Sequence, residues 1–176
     1  AQENFRQNPL PSSRISPNKP EKLRIGYFSA DFREHPVAYV IAKVIETHNR
    51  DDFEVFGYSL HGNRQDEYRQ RLENSFDHFT DVQELSDQDV ALQVRQDNID
   101  IAIDLMGYTK YSRTGIFAYR AAPIQINYLG FPGTMGTDFM DYIVADRHII
   151  PPENQKYFNE KALYLPNTYM PTDNGR

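Results

Sequence analysis

Cysteine is absent from this 176-residue sequence, so neither disulfides nor thiolate metal sites are open to it. A reducing compartment such as the cytoplasm suits such a chain. Basic excess is absent as well. The 19 Lys and Arg stand against 25 Asp and Glu, for a net charge of -6, whereas nucleic-acid binders usually carry a positive surplus. No uninterrupted apolar run approaches the roughly 20 residues that span a bilayer, so no membrane segment is expected. The segment from Ala1 to Glu21 has no apolar stretch of the kind that drives secretion. The sequence does not begin with Met, which reads as a processed or excised piece.

Several catalytic signatures are missing too. His35, His48, His61, His78 and His148 show neither H-x3-H nor H-E-x-x-H spacing, so no metal centre is expected. There is no G-x-S-x-G elbow of a serine hydrolase. There is no G-x-G-x-x-G or Gly-Lys-Ser/Thr phosphate loop.

What is present is enough for one globular domain: hydrophobic residues make up 39% of the chain and charged residues 25%. Residues 1–22 hold Pro9, Pro11, Pro17 and Pro20 among polar residues and read as a linker or arm. No internal repeat is visible. From Leu23 onward, strand and helix patterns alternate. Leu23 to Ser29 reads as a buried strand. Pro36 suits the first position of a helix. Val37, Val40, Ile41, Val44, Ile45 and His48 then fall on one helical face. Further strands are expected at Phe53–Ser59, His78–Asp81, Ile99–Leu105, Pro123–Leu129, Tyr142–Asp146 and Lys161–Pro166. Helices are expected over 64–74, from a capping box at Ser86 to about Asn98, and over Ser112–Tyr119. This alternation predicts an α/β, Rossmann-like, mostly parallel sheet with helices on both faces.

In such folds ligands bind beyond the carboxyl ends of the strands, and the unusual residues do follow the strands. Asp31, His35 and Pro36 come after the first, and His61 and Gly62 after the second. Gly107, Tyr108, Thr109 and Lys110 follow the Ile99 strand. The stretch from Gly130 to Gly136 follows the Pro123 strand, with three glycines and one proline in seven residues. The loop holding Asp146, Arg147 and His148 follows the Tyr142 strand. His35 would be the N-cap of its helix. The positive end of a helix disfavours a charged imidazole, which leaves the ring able to accept a proton or hydrogen bond. The alternative is a histidine that merely caps. Asp31 could accept a proton, orient His35, or only cap a turn. The Gly107 loop suits a sugar or phosphate contact, or equally an ordinary turn. The Gly130 loop lets a ligand approach the backbone, or is a tight corner before a further helix.

Taken in order, these segments resemble the first catalytic lobe of the protein O-linked N-acetylglucosamine transferases, including SPINDLY-like proteins. The likeness rests on Leu23 to Phe32 with His35-Pro36, on Phe53 to Tyr58, and on Gly107 to Lys110. It continues through Ala122 to Gln125, Leu129 to Thr134 and Phe139 to Ile143. The resemblance implies a GT-B enzyme, in which two nucleotide-fold lobes face each other across a cleft. It implies metal-independent, inverting transfer of N-acetylglucosamine from the donor UDP-N-acetylglucosamine to Ser or Thr of protein acceptors, without a cofactor. It also implies upstream tetratricopeptide repeats and a second lobe that carries most of the uridine-diphosphate contacts. On this reading 23–176 is the N-terminal lobe, the second lobe is absent, and the piece alone is inactive.

By the same resemblance His35 and Asp31 are the catalytic candidates. Pro36, Gly107, Tyr108, Thr109, Leu129, Gly130, Pro132, Gly133 and Thr134 are the substrate-binding candidates. Val37 departs from the threonine of the animal enzymes, which removes one polar contact. Residues 1–22 do not resemble the segment that precedes this lobe in the family. Related proteins use fucose or glucose donors, and a degenerate lobe serving as a protein-interaction module is the other expectation that remains open.

Overall fold

A computed structural model describes residues 22–62 and 65–174, so the expected linker lies almost wholly outside the described residues. Seven strands form one parallel sheet: β1 (Leu23–Ser29), β2 (Phe53–Ser59), β3 (His78–Asp81), β4 (Ile101–Asp104), β5 (Ile124–Asn127), β6 (Tyr142–Ala145) and β7 (Lys161–Tyr164). Their spatial order is β3-β2-β1-β4-β5-β6-β7, and every pairing is parallel. Four helices, α1 (Pro36–Glu46), α2 (Glu67–Ser75), α3 (Asp87–Gln96) and α4 (Gly115–Ala118), supply the first four crossovers.

Strand alternation sorts the core onto two faces. Ile25 and Tyr27 of β1 pack with Ala38, Ile41 and Ile45 of α1 and Leu72 of α2. Phe28 of the same strand faces the other way, onto Val90 and Val94 of α3 and Phe117 of α4. Side chains two apart share a face and neighbours oppose, so a continuously apolar strand needs cover on both sides. The expected α/β sheet with helices on both faces is therefore what forms. The order reverses between β1 and β4: the chain winds outward through β2 and β3, then crosses back to begin β4. This switch point opens a crevice beyond the ends of β1 and β4.

Local chemistry sets the helix starts. Ser86 accepts from the Asp89 amide at 3.1 Å, as the capping box requires. The expected helix over 64–74 starts instead at Glu67, because Asp66 caps it by accepting from the Arg69 amide at 2.9 Å; Arg64 lies outside the described residues. The helix expected over Ser112–Tyr119 shrinks to Gly115–Ala118. Arg113, two residues before it, is drawn away to the Asp87 carboxylate and the Val82 carbonyl, both at 2.8 Å. No helix follows the Gly130 loop: the chain runs irregularly from β5 to β6, and one 3-10 turn (Pro152–Tyr157) links β6 to β7.

Arg69 fastens α2 to the sheet. Its side chain is buried, yet its guanidinium reaches Ser59 Oγ and both Asp81 carboxylate oxygens, each at 2.8 Å, and lies 4.4 Å from the Phe79 ring centre. Arg69→Met is expected to destabilise the domain by about 3 kcal/mol. Ser59 would lose a buried partner and α2 would lose its tie to β3. Asp81 is half-exposed, so solvent screening holds the figure at the lower end for a broken buried pair. Urea unfolding at neutral pH reads the change.

Candidate functional site

The crevice at the switch point is a hollow of about 240 Å³. Asp31, Arg33, His35 and Val37 line it from the β1 side, and Thr109, Lys110, Tyr111 and Gly130 from the β4 and β5 side. Asp31, His35, Thr109 and Gly130 are thus brought together from three separate loops. A larger hollow, about 440 Å³, lies at the opposite edge, beside the first residues of β5, β6 and β7 (Ile124, Tyr142 and Lys161). It sits away from the carboxyl ends of the strands, and its Asp141 is engaged twice by Arg120, at 2.8 and 2.9 Å. Size alone does not mark the site; strand polarity does.

His35 is the N-cap of α1. Its Nδ1 accepts from the Val37 amide at 3.3 Å, and the same Nδ1 lies 3.5 Å from Asp31 Oδ2. One nitrogen cannot satisfy both neighbours in one protonation state. As an acceptor it caps the helix, and Nε2 then carries the proton. As a donor it turns to Asp31, and Nε2 is left as a free acceptor in the neutral ring. Asp31 is suited to hold that second tautomer. It is buried, its amide is held by Ser29 Oγ at 2.9 Å, and Arg33 Nη2 donates to its Oδ1 at 3.0 Å. The helix cap and a free Nε2 acceptor therefore belong to two different tautomers of this residue.

The remaining expected residues have other placements. Tyr108 does not line the hollow: its hydroxyl donates to the Met135 carbonyl at 2.6 Å and its ring packs edge-on against Phe131. It ties the β4 loop to the β5 loop. Gly107 has φ +57, and a Cβ there would stand 2.4 Å from Phe131 Cβ, so its role is backbone geometry. A Cβ at Gly130 would come within 2.1 Å of the Leu105 carbonyl oxygen, so no side chain fits at that point of the wall. Thr134 gives its hydroxyl proton to buried Glu160 at 2.7 Å. Gly133 offers its carbonyl to Asn127 at 3.2 Å. Pro36 and Pro132 are exposed, and Leu129 leans on the α1 side of the core with φ 66. None of these five lines the hollow.

Sequence reasoning missed Arg33, Tyr111 and Asp104 as contributors. Asp104 ends β4 and is 2% exposed. Its two carboxylate oxygens accept from the Met106 and Gly107 amides at 2.9 and 3.1 Å. Burial pushes its carboxyl up to about 7, against those two amide bonds, which pull it down. The signal was present, since an aspartate stands where an apolar strand turns into a glycine loop.

The sequence matches the model of glycosyl transferase family 41 across residues 5–175. This chain belongs to glycosyl transferase family 41. Two family 41 relatives set the scale. The chain is 43% identical over 153 residues to the Arabidopsis thaliana protein named "Probable UDP-N-acetylglucosamine--peptide N-acetylglucosaminyltransferase SEC". It is 39% identical over 166 residues to the UDP-N-acetylglucosamine–peptide N-acetylglucosaminyltransferase of Caenorhabditis elegans. These matches take in 87% and 94% of this chain but only 16% and 14% of the relatives. Among solved structures, a mutant O-GlcNAc transferase from Thermobaculum terrenum superposes with a TM-score of 0.89 at 36% identity, covering 96% of this chain and 33% of that one. SPINDLY proteins of several plants match at 29–30% identity. Among the described residues, no helix is long and apolar enough to cross a membrane.

Proposed function

We propose that this chain is the N-terminal lobe of a GT-B glycosyltransferase. The complete protein would move N-acetylglucosamine from UDP-N-acetylglucosamine to Ser or Thr hydroxyls of proteins. The observation that carries this reading is the Asp31–His35 pair at the switch-point crevice, in a chain whose relatives are named for that transfer. In the reaction, the acceptor hydroxyl oxygen attacks the anomeric carbon from the face opposite the diphosphate. The new C–O bond forms as the bond to the diphosphate breaks, and UDP departs with the electron pair. His35 Nε2 takes the hydroxyl proton while Asp31 holds Nδ1–H, so the imidazolium that forms sits beside a carboxylate. One displacement inverts the anomeric centre. No metal is assigned a part, since general base and positioning carry the step.

A second lobe, outside this chain, would hold the uridine diphosphate, because binding between two lobes needs both walls. Upstream tetratricopeptide repeats, protein acceptors and a cytoplasmic setting belong to the same proposal. Transfer by the complete parent protein, measured with each radiolabelled nucleotide sugar, tests it. N-acetylglucosamine should be transferred in preference to fucose or glucose. No transfer from any donor would overturn the enzyme reading and favour a lobe that serves as a protein-interaction module.

A further inference from the structure

Tyr111 is the one aromatic side chain lining this crevice apart from His35, and the proposed chemistry gives it no part. It is 43% exposed, yet its ring is held: it stacks on His61, from the loop after β2, with centroids 3.9 Å apart and planes 15° from parallel. Its backbone sits at φ 68, a left-handed conformation that is costly for a bulky residue and that clusters at ligand sites. A glycine there would relieve that cost. The Lys110 ammonium lies over the ring, 4.8 Å from its centre. Such an exposed cation–π contact is worth only about 0.5–1 kcal/mol, so a ligand can displace it. The ring lines the same hollow as Asp31 and His35.

The two cations of this wall are already engaged, Arg33 with Asp31 at 3.0 Å and Lys110 over the Tyr111 ring. Phosphates are usually cradled by free backbone amides at a helix start, and here several amides of the segment leading into α1 are engaged. The Asp31 amide bonds Ser29 and the Glu34 amide bonds Asp66, while the Val37 amide bonds His35 only when Nδ1 is the acceptor. Pro36 has none. What the wall presents instead is an aromatic face with Val37 in the same lining, a surface for apolar side chains beside a reactive hydroxyl.

We infer that Tyr111, propped by His61, forms the acceptor subsite: the polypeptide flanking the reactive hydroxyl packs an apolar side chain on this ring. The inference rests on the catalytic reading of Asp31 and His35 given above. In it His61 is a positioning residue, acting only through Tyr111. The test is steady-state kinetics of the complete parent protein carrying Tyr111→Ala, Tyr111→Phe or His61→Ala, with two acceptor peptides that differ only in leucine or glycine next to the hydroxyl. Loss of one packed aromatic face should raise the acceptor KM of Tyr111→Ala about tenfold for the leucine peptide. The glycine peptide should be little affected. Donor KM should change far less than acceptor KM. Tyr111→Phe should restore wild-type behaviour, and His61→Ala should shift acceptor KM in the same direction by a smaller factor. An unchanged acceptor KM in Tyr111→Ala, or equal losses for both peptides, would overturn the subsite while leaving the catalytic reading intact. A wild-type protein that neither transfers nor hydrolyses any sugar nucleotide would overturn both.

Discussion

Complete parent protein carrying His35→Ala is expected to transfer sugar with kcat lowered about 1000-fold, the scale on which a positioned general base contributes. Donor KM should change little, because the ring acts on the acceptor hydroxyl rather than on the nucleotide. Asp31→Asn should lower kcat as well, by about 100-fold, the lower end of what positioned acid–base groups contribute. Its amide cannot stabilise the imidazolium, and its nitrogen would face the Arg33 guanidinium that now lies 3.0 Å from a carboxylate oxygen. His78→Ala is the control. His78 lies on edge strand β3, exposed and bonded to Glu54 at 2.8 Å, away from the crevice, and its variant should match wild type. Steady-state assays with donor and acceptor varied in turn read all three.

The second large effect is a pH dependence of stability that originates in Asp104. Its carboxyl rises from an ordinary 3.8 to about 7 in the folded chain because it is buried. Between those values the native state binds more protons than the unfolded state, so stability falls as pH rises. The contribution is fully present below about pH 4 and lost by the time pH passes 7. A shift of about three units corresponds to roughly 4 kcal/mol. Asp104→Asn should remove this slope. The variant also loses one of the two amide partners at Met106 and Gly107, which lowers its stability at every pH by about 1 kcal/mol. The diagnostic quantity is therefore the slope of the difference between wild type and variant, read from urea midpoints over pH 4 to 8. The Met106–Gly107 turn leads into Thr109, Lys110 and Tyr111, so the same titration bears on how firmly the crevice wall is held.

The sheet and its long helix were legible because their periodicities are strong. β1 and β2 have the expected bounds, and the apolar residues of α1 fall at helical spacing on the side that packs inward. β4 and β5 came out shorter than expected, as Ile101–Asp104 and Ile124–Asn127. Ile99, Leu105 and Tyr128 beside them stay buried, and Leu105 and Tyr128 still donate across the sheet to Phe28 and Asp104, at 3.0 and 2.9 Å, before the chain turns into loops. Arg113 explains the shortened α4, through partners some 26 to 31 residues away that no local pattern announces.

The crevice was legible in its anchors and not in its rim. Asp31 and His35 carry a local signal, a polar pair between a strand and a Pro-initiated helix. Tyr108 and Thr134 looked equally available in the sequence, but their hydroxyls are taken by Met135 and Glu160 across loop-to-loop contacts. Tyr111 faces the hollow because its backbone turns left-handed, and His61 meets it only because β1 alone separates β2 from β4 in the sheet. Such juxtapositions come from strand order, which a linear pattern does not show. The family resemblance supplied the order of the motifs and the fold; the choice among neighbouring side chains came from geometry.

The placement of the acceptor is the claim on which the rest depends, and photo-crosslinking tests it most directly. The complete parent protein would be irradiated with an acceptor peptide carrying a benzophenone residue beside its hydroxyl, and the modified segments sequenced. Labelling should fall within 29–37 and 105–111, the two sides of the 240 Å³ hollow. Labelling concentrated instead at 137–142 and 159–161, around the larger hollow at the opposite edge of the sheet, would contradict it.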